Sequence, residues 1–165
     1  MTDPECLAEL FVNHSIRKLR LMQQYVEICV AEVDGSALSQ HSGPGQNSIS
    51  NLIVHLCGNL RQWIGSTLGG LPDIRDRKAE FEEQPAVPKD GLLLLLRNTV
   101  DEAVAIISGI DAGKLAQTVK TQDGALSVLE VIYQVVGHFQ QHTGQVVFAV
   151  KQITGRDLQL YRAPN

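Results

Sequence analysis

The sequence predicts an all-α protein, a four-helix bundle with a long crossover connection between its second and third helices. Apolar residues recur at three- and four-residue spacing in four long segments, the pattern of amphipathic helices. Clusters of Gly and Pro separate these segments, and no short alternating stretch indicates a strand. One separating segment of about twenty residues is long enough to run the length of a bundle, which would make helices two and three parallel.

A Gly/Pro-rich break separates the first two predicted helices. We expect helix one from about Pro4 to Val33, because glycines and a proline between positions 35 and 45 cannot sustain it. Helix two is expected to begin at Asn47 or Ser48, both good N-cap residues, and to run to about Leu68. The apolar face expected for helix one consists of Leu7, Leu10, Phe11, Leu21, Met22, Tyr25, Ile28 and Cys29.

The second half of the chain contains the long connection and two more helices. We expect the charged run RDRKAEFEE in the connection to form solvated ion pairs or part of a dimer contact. Helix three should cover about Lys89 to Ser108. Helix four has the clearest start, since Ser127 and Glu130 form a capping box, and should run to about Thr154, before Gly155. Together, residues 1–165 are expected to form one domain.

Composition and charge exclude several classes of partner. The formal charge of −4 provides no basic surplus for nucleic acid, and the longest apolar run, Leu92 to Leu96, is too short to cross a bilayer. The three widely spaced cysteines, Cys6, Cys29 and Cys57, are typical of reduced thiols in the cytoplasm, where we expect the protein to be located. The N-terminus shows no apolar signal segment.

Two histidines interrupt the buried stripe of helix four. His138 and His142 stand one turn apart among apolar residues, so both rings can approach one point and bind one ion. The segment between them, FQQ, lacks the general-base glutamate of the H-E-x-x-H motif. The alternative is that this spacing arises by chance and that each ring hydrogen-bonds within the core, because an unpartnered buried imidazole costs about 1–3 kcal/mol.

Helix two supplies a candidate third ligand. His55 lies on the flank of the apolar stripe, and Asn59, one turn later, either orients its ring or remains a surface amide. Three histidines would leave one tetrahedral position open for a divalent metal, with zinc the best fit and nickel, iron or cobalt as alternatives. His14 and His41 are interpreted as unrelated to this site. Arginines that could bind an anionic substrate group are Arg61, Arg75 and Arg77.

Three segments resemble the DinB-like (YfiT-like) family of four-helix-bundle proteins, described as metal-dependent hydrolases. They are NSISNLIVHLCGNLRQWI on helix two, DIRDRKAEF in the connection and HFQQHTGQVVFAVK on helix four. The resemblance implies a metal held by His55, His138 and His142. It also implies a small-molecule substrate, a low-molecular-weight thiol such as bacillithiol or mycothiol in some members, and a homodimer.

Three functions remain open from the sequence. The first is a metal-dependent enzyme, either a hydrolase that uses water or an S-transferase that uses a small thiol. The second is a non-catalytic metal-binding or stress-associated protein. The third is a helical bundle whose histidines only hydrogen-bond. Nothing in the sequence identifies a substrate or a catalytic residue beyond the three histidines.

Overall fold

The structure is a computed structural model that describes residues 3–41, 43, 45–81 and 88–160. The long helices are α1, α3, α4 and α6, and the remaining elements are short. Helices are α1 (Pro4–Ala31), α2 (Gly35–Leu38), α3 (Ile49–Leu60), α4 (Lys89–Ser108), α5 (Ala112–Leu115) and α6 (Val128–Thr154). The others are a π-helical segment (Arg61–Ser66), a 3₁₀ turn (Ala79–Phe81), and strands β1 (Thr118–Thr121) and β2 (Gly124–Ser127).

Ion pairs between α1 and α4 show that these helices are antiparallel. Glu27 pairs with Arg97 at 2.9 Å, and Arg20, earlier on α1, pairs with Asp101, later on α4. The C-terminal ends of α1 and α6 meet instead, since Arg156 contacts Glu32 at 3.0 Å.

Contacts between the second and third long helices confirm that they run parallel. Cys57 on α3 contacts Thr99 on α4. Twelve residues later, a Cβ added to Gly69 would lie 2.6 Å from Ile106 Cδ1, seven residues further along α4. The connection after α3 therefore returns along the bundle, as predicted.

The apolar face predicted for α1 is partly wrong. Met22 and Cys29 are buried as predicted, but four others are exposed: Leu7 and Leu10 by 55%, Leu21 by 38% and Ile28 by 42%. The buried stripe is Val12, Leu19, Met22, Val26, Cys29 and Val30. Two apolar stripes run along this helix, and the packing of α4 and α6 against one of them decides which is buried.

The β-hairpin between α5 and α6 was not predicted from the sequence, in which no alternating stretch indicated a strand. Its strands are four residues each and pair antiparallel, with Thr118 opposite Ser127. Strands this short are below the length at which alternation becomes visible. β2 ends at Ser127, which is the N-cap of α6, and the predicted capping box with Glu130 is confirmed, as is the end at Gly155, with φ of 66°.

The predicted second helix divides into α3 and the π-helical segment that continues it to Ser66. Ser48 is the N-cap, and its side chain accepts a hydrogen bond from the backbone N–H of Asn51. Within the described residues, no helix combines the length and the apolar content that crossing a membrane requires.

Candidate metal centre

The structure brings the three predicted histidines together. His55 projects from α3, and His138 and His142 project from successive turns of α6. The Nε2 atom of His138 lies 3.1 Å from Nε2 of His55 and 3.1 Å from Nε2 of His142. One ring nitrogen from each histidine lies within 4.8 Å of the others, so this group could hold a metal ion.

Two of the three distances between these nitrogens are close to those expected around a tetrahedral ion. Three imidazoles bound to zinc at about 2.0–2.1 Å place their nitrogens about 3.3 Å apart. The two Nε2–Nε2 distances of 3.1 Å are close to that value. His55 is buried, and His138 and His142 are half-buried.

The hydrogen bonds of the His55 and His142 rings leave the Nε2 lone pair of each ring directed toward His138. His55 Nδ1 lies 2.8 Å from Glu80 Oε2, and His142 Nδ1 lies 2.7 Å from Gln145 Oε1. Each Nδ1 therefore carries the proton it donates, and each Nε2 presents a lone pair in the neutral ring. His138 has at most one proton on Nε2. It can therefore donate a hydrogen bond to Nε2 of His55 or to Nε2 of His142, but not to both. A cation at the centre would satisfy all three nitrogens.

Glu80 is the site residue that the sequence analysis missed. We expected its charged run to be solvated, but Glu80 is 5% exposed and orients His55. Glu80, and not Asn59, is the hydrogen-bond partner of the His55 ring. No local sequence pattern predicts this contact, because His55 and Glu80 are 25 residues apart. The unusual length of the connection that follows the helix of His55 was the only sign that the connection could have a role at the site.

Arg75 and Gly58 hold the Glu80 carboxylate in place. The Arg75 side chain, 4% exposed, donates to Glu80 from Nε at 2.6 Å and from Nη2 at 2.8 Å. Arg75 is therefore engaged by Glu80 rather than free for an anionic substrate group. A Cβ added to Gly58 would lie 1.9 Å from Glu80 Oε1, so this position must be glycine for the carboxylate to sit against α3. Asn51 fixes the backbone by donating to the Glu80 carbonyl at 2.8 Å.

Burial and neighbouring charge set the protonation of the cluster. Burial lowers the pKa of His138 to about 4, and the adjacent His142 and His55 rings also lower it. Burial lowers the pKa of His142 too, although its hydrogen bond with Gln145 acts in the opposite direction. Burial alone would raise the pKa of Glu80, but hydrogen bonds from Arg75 and His55 outweigh it and lower that pKa. At neutral pH, His138 and His142 are therefore neutral imidazoles, and Glu80 is ionised.

The remaining candidates lie around this centre or away from it. The Arg77 guanidinium stacks over Phe81 at 5.6 Å, and Phe81 in turn lies 4.9 Å from the His55 ring, centre to centre. His14 is exposed on α1, and His41 Nδ1 lies 2.7 Å from the Gln46 carbonyl oxygen. Neither belongs to the cluster.

A cavity of about 650 Å³ lies behind Arg75 and Glu80. Arg61 lines it, together with apolar side chains from α3 and the connection. None of the three histidines lines it, so it is separate from the space that their Nε2 atoms face.

Comparisons with known proteins place the fold. A family described as "Protein of unknown function (DUF1572)" matches residues 6–165, and no curated protein matches the sequence. A conserved protein from Enterococcus faecalis superposes with a TM-score of 0.73 and 15% identity, covering 87% of this chain and 97% of the other. A DinB-like protein (YjoA) from Bacillus subtilis gives a TM-score of 0.66 and 11% identity, and the match covers 87% of this chain and 93% of the other.

A third similar structure is a mycothiol-dependent maleylpyruvate isomerase. It gives a TM-score of 0.63 and 17% identity, and the match covers 86% of this chain and 66% of that one. At these identities the likeness shows the fold alone. The fold is DinB-like, as the sequence resemblance implied.

Proposed function

Because this chain belongs to the DUF1572 family and has a DinB-like fold, we propose that it is a metal-dependent enzyme acting on a small molecule. His55, His138 and His142 would hold one divalent ion through their Nε2 atoms. Zinc suits three imidazole ligands best, and nickel, iron or cobalt fits the same ligand set.

The convergence of three Nε2 atoms, two of them 3.1 Å from the third, is the observation that carries this proposal. Hydrogen bonding within the core, the alternative left open by the sequence, explains this arrangement less completely. Glu80 and Gln145 take up the Nδ1 protons of two rings and leave more lone pairs at the centre than His138 can satisfy.

Each residue of the centre has a distinct part in the proposed enzyme. A bound ion supplies Lewis-acid chemistry and lowers the pKa of a bound water toward ~7. Glu80 holds the His55 proton on Nδ1 and so keeps Nε2 available as a ligand. Three histidine ligands would leave a fourth position on the ion for the substrate, and the half-burial of His138 and His142 supports this part of the proposal.

Two reactions fit an open fourth position. An ion held by His55, His138 and His142 would activate a water molecule as the nucleophile of a hydrolase. In an S-transferase it would instead activate the thiol group of a low-molecular-weight thiol toward a small electrophile. The mycothiol-dependent isomerase among the structural neighbours supports testing the thiol version first.

Cobalt substitution tests the open position directly. We would load metal-free protein with Co²⁺ and record its visible spectrum during titration with cysteine, bacillithiol and mycothiol. A thiolate ligand would add a sulfur-to-cobalt charge-transfer band, and the S-transferase version predicts that band with at least one of these thiols. Unchanged spectra with every thiol, together with hydrolysis of a panel of ester and amide substrates, would favour the hydrolase.

The competing function is a non-catalytic metal-binding or stress-associated protein. It predicts that the cobalt spectrum responds to no thiol or other small anion, because no exchangeable position exists. It also predicts that the metal-loaded protein hydrolyses none of the ester and amide substrates and consumes none of the thiols. That combined result would contradict the proposed enzyme while leaving the histidine ligands in place.

A further inference from the structure

The cavity behind the Arg75–Glu80 pair has no role in the proposed metal-dependent reaction. It lies between α3, α4 and the connection that follows α3, and its volume is about 650 Å³. Sites for small molecules usually have volumes of about 300–1,000 Å³. None of the three clustered histidines lines this cavity, so a molecule in it would not touch their Nε2 atoms.

Most of the side chains around the cavity are apolar. Those on α3, on the connection and on α4 are Val54, Leu71, Pro72, Ile74, Ala79 and Leu95. Leu71 is 41% exposed and Ile74 is 87% exposed, although both belong to one wall of the cavity. Exposed apolar surface beside a concave site is typical of a place where a ligand binds. An apolar molecule in the cavity would cover part of this surface.

Arg61 and Glu102 contribute opposite charges to the edge of the cavity. Cys57 on α3 contacts Thr99 on α4, and these helices run parallel. Arg61 follows Cys57 by four residues, and Glu102 follows Thr99 by three. Arg61 and Glu102 therefore lie side by side, about one turn further along the two helices, and their charges offset each other.

Asp73 and Asp76 leave the cavity with an excess of negative charge. The other charged residues that line it, Arg75 and Glu80, pair with each other at 2.6 Å. Asp73 accepts hydrogen bonds from the Gln62 side chain and from the backbone N–H of Arg75, and the bond from Gln62 lowers the pKa of Asp73. Asp76 accepts from two backbone N–H groups of the connection. These donors are uncharged, so both negative charges remain.

We propose that this cavity is a second binding site, for a small amine that joins an apolar body to an ammonium group. The apolar body would lie against Leu71, Ile74 and Leu95. The ammonium group would be held by the carboxylates of Asp73 and Asp76. A molecule of the same shape that carries a carboxylate is disfavoured, because it would meet the same excess of negative charge. Binding there requires no metal ion, because no clustered histidine takes part.

Three naphthalene probes of similar size test the charge preference of the cavity. They are 2-naphthylmethylamine, 2-naphthalenemethanol and 2-naphthoate, each titrated into the purified protein by calorimetry at neutral pH. The amine should bind about fivefold more tightly than the alcohol, as expected for exposed ion pairs, and the naphthoate should bind most weakly. Failure of all three to bind, or binding of the naphthoate as tight as that of the amine, would overturn the proposal.

The same titrations with a chelator present separate this cavity from the histidine cluster. The affinities should be unchanged, because the cavity does not include the histidines. An amine affinity that the chelator abolishes would place the probe at the metal centre and overturn the proposal.

Asp73→Asn/Asp76→Asn tests whether the two aspartates hold the ammonium group. Asparagine keeps the Oδ1 acceptor that each aspartate offers to the backbone, so the connection should keep its conformation. This double variant should bind the amine no more tightly than the alcohol. Asp90→Asn/Asp123→Asn removes two exposed carboxylates elsewhere, is the matched control and should bind as the parent does. Equal amine affinities in the two double variants would contradict the proposal.

Leu95→Trp tests the location of the site. Leu95 is half-buried on α4, and a larger side chain there would narrow the cavity. The amine and the alcohol should both bind about tenfold more weakly, while circular dichroism and metal content stay those of the parent. Leu94→Trp, at a neighbouring position that is 58% exposed and does not line the cavity, should leave both affinities unchanged. Parent affinities in Leu95→Trp would show that the probes bind elsewhere.

Discussion

Glu80 is the buried carboxylate that orients the His55 ring in the histidine cluster. Glu80 receives hydrogen bonds from Arg75 and His55 in a buried position. We predict that Glu80→Gln weakens metal binding about 10- to 100-fold, the usual effect of removing a partner behind a ligand. Competition against a chromogenic chelator would measure it. Glu102→Gln, at an exposed glutamate, should leave affinity unchanged, and equal affinities in the two variants would contradict this role for Glu80.

Gly58 should be equally sensitive, for a steric reason. Its added methyl would occupy the place of Glu80 Oε1, so Gly58→Ala must displace the carboxylate from His55. We predict a loss of metal affinity similar to that of Glu80→Gln, and no further loss when Gly58→Ala is added to Glu80→Ala. Gly35→Ala, at a glycine with open space around it, should have no effect. An additive double variant would show that Gly58 acts by another route.

The low pKa of His138 predicts how the metal-free protein responds to acid. Its pKa is about 4 in the folded chain against an ordinary value of 6.5, so the unfolded state takes up a proton first as pH falls. Stability should therefore decrease as pH falls from about 6.5 toward about 4. Urea unfolding in the presence of a chelator, at several pH values, would measure it.

His138→Asn isolates this contribution of His138, because other groups also titrate in the same range. The variant should lose less stability between pH 7 and pH 5 than the parent does. His14→Ala, which removes an exposed histidine, should keep the parent's dependence. Parallel pH profiles for the parent and His138→Asn would show that the His138 pKa is not lowered on folding.

At the scale of elements, α6 positions two of the three clustered histidines, and its start is fixed by a capping box. Ser127 accepts from the Glu130 backbone N–H, and the Glu130 carboxylate accepts from Ser127. We predict that Ser127→Ala lowers the free energy of unfolding by about 1 kcal/mol. It should keep the metal, since the cap lies about three turns from His138. Denaturant unfolding would measure the loss of stability, and elemental analysis would measure the metal content. Loss of metal in Ser127→Ala would contradict the expectation that the site is unaffected.

The long helices could be predicted from sequence because their signals are local. Three-four spacing, the N-caps at Ser48 and Ser127 and the stop at Gly155 act within a few residues. The hairpin and the exposure of Leu7 could not be predicted in the same way. The hairpin strands are too short to show a period, and the buried face of α1 depends on which helices pack against it.

The site residues also differ in whether a local sequence signal predicts them. Spacing on α6 predicted that His138 and His142 share a face, and the motif on α3 added His55. The Glu80–Arg75 pair depends on how the connection folds back over α3, which is a tertiary contact without a periodic signal. A charged run that appears solvated in sequence can therefore contain a buried carboxylate that orients a histidine of the candidate site.

At the scale of the whole molecule, the centre joins α3 to α6 through three side chains. An ion that binds the folded chain alone stabilises it by about 2.7 kcal/mol at a free concentration one hundred times its dissociation constant. Metal content and stability should therefore change together.

The most direct test of the three-histidine centre is elemental analysis of tag-free protein, for the parent and for His55→Ala, His138→Ala, His142→Ala and the control His14→Ala. The proposal predicts close to one divalent ion per chain in the parent and the control, and loss of that ion in each of the other three. Metal-free parent protein after metal supplementation, or ion content unchanged by those three substitutions, would contradict it.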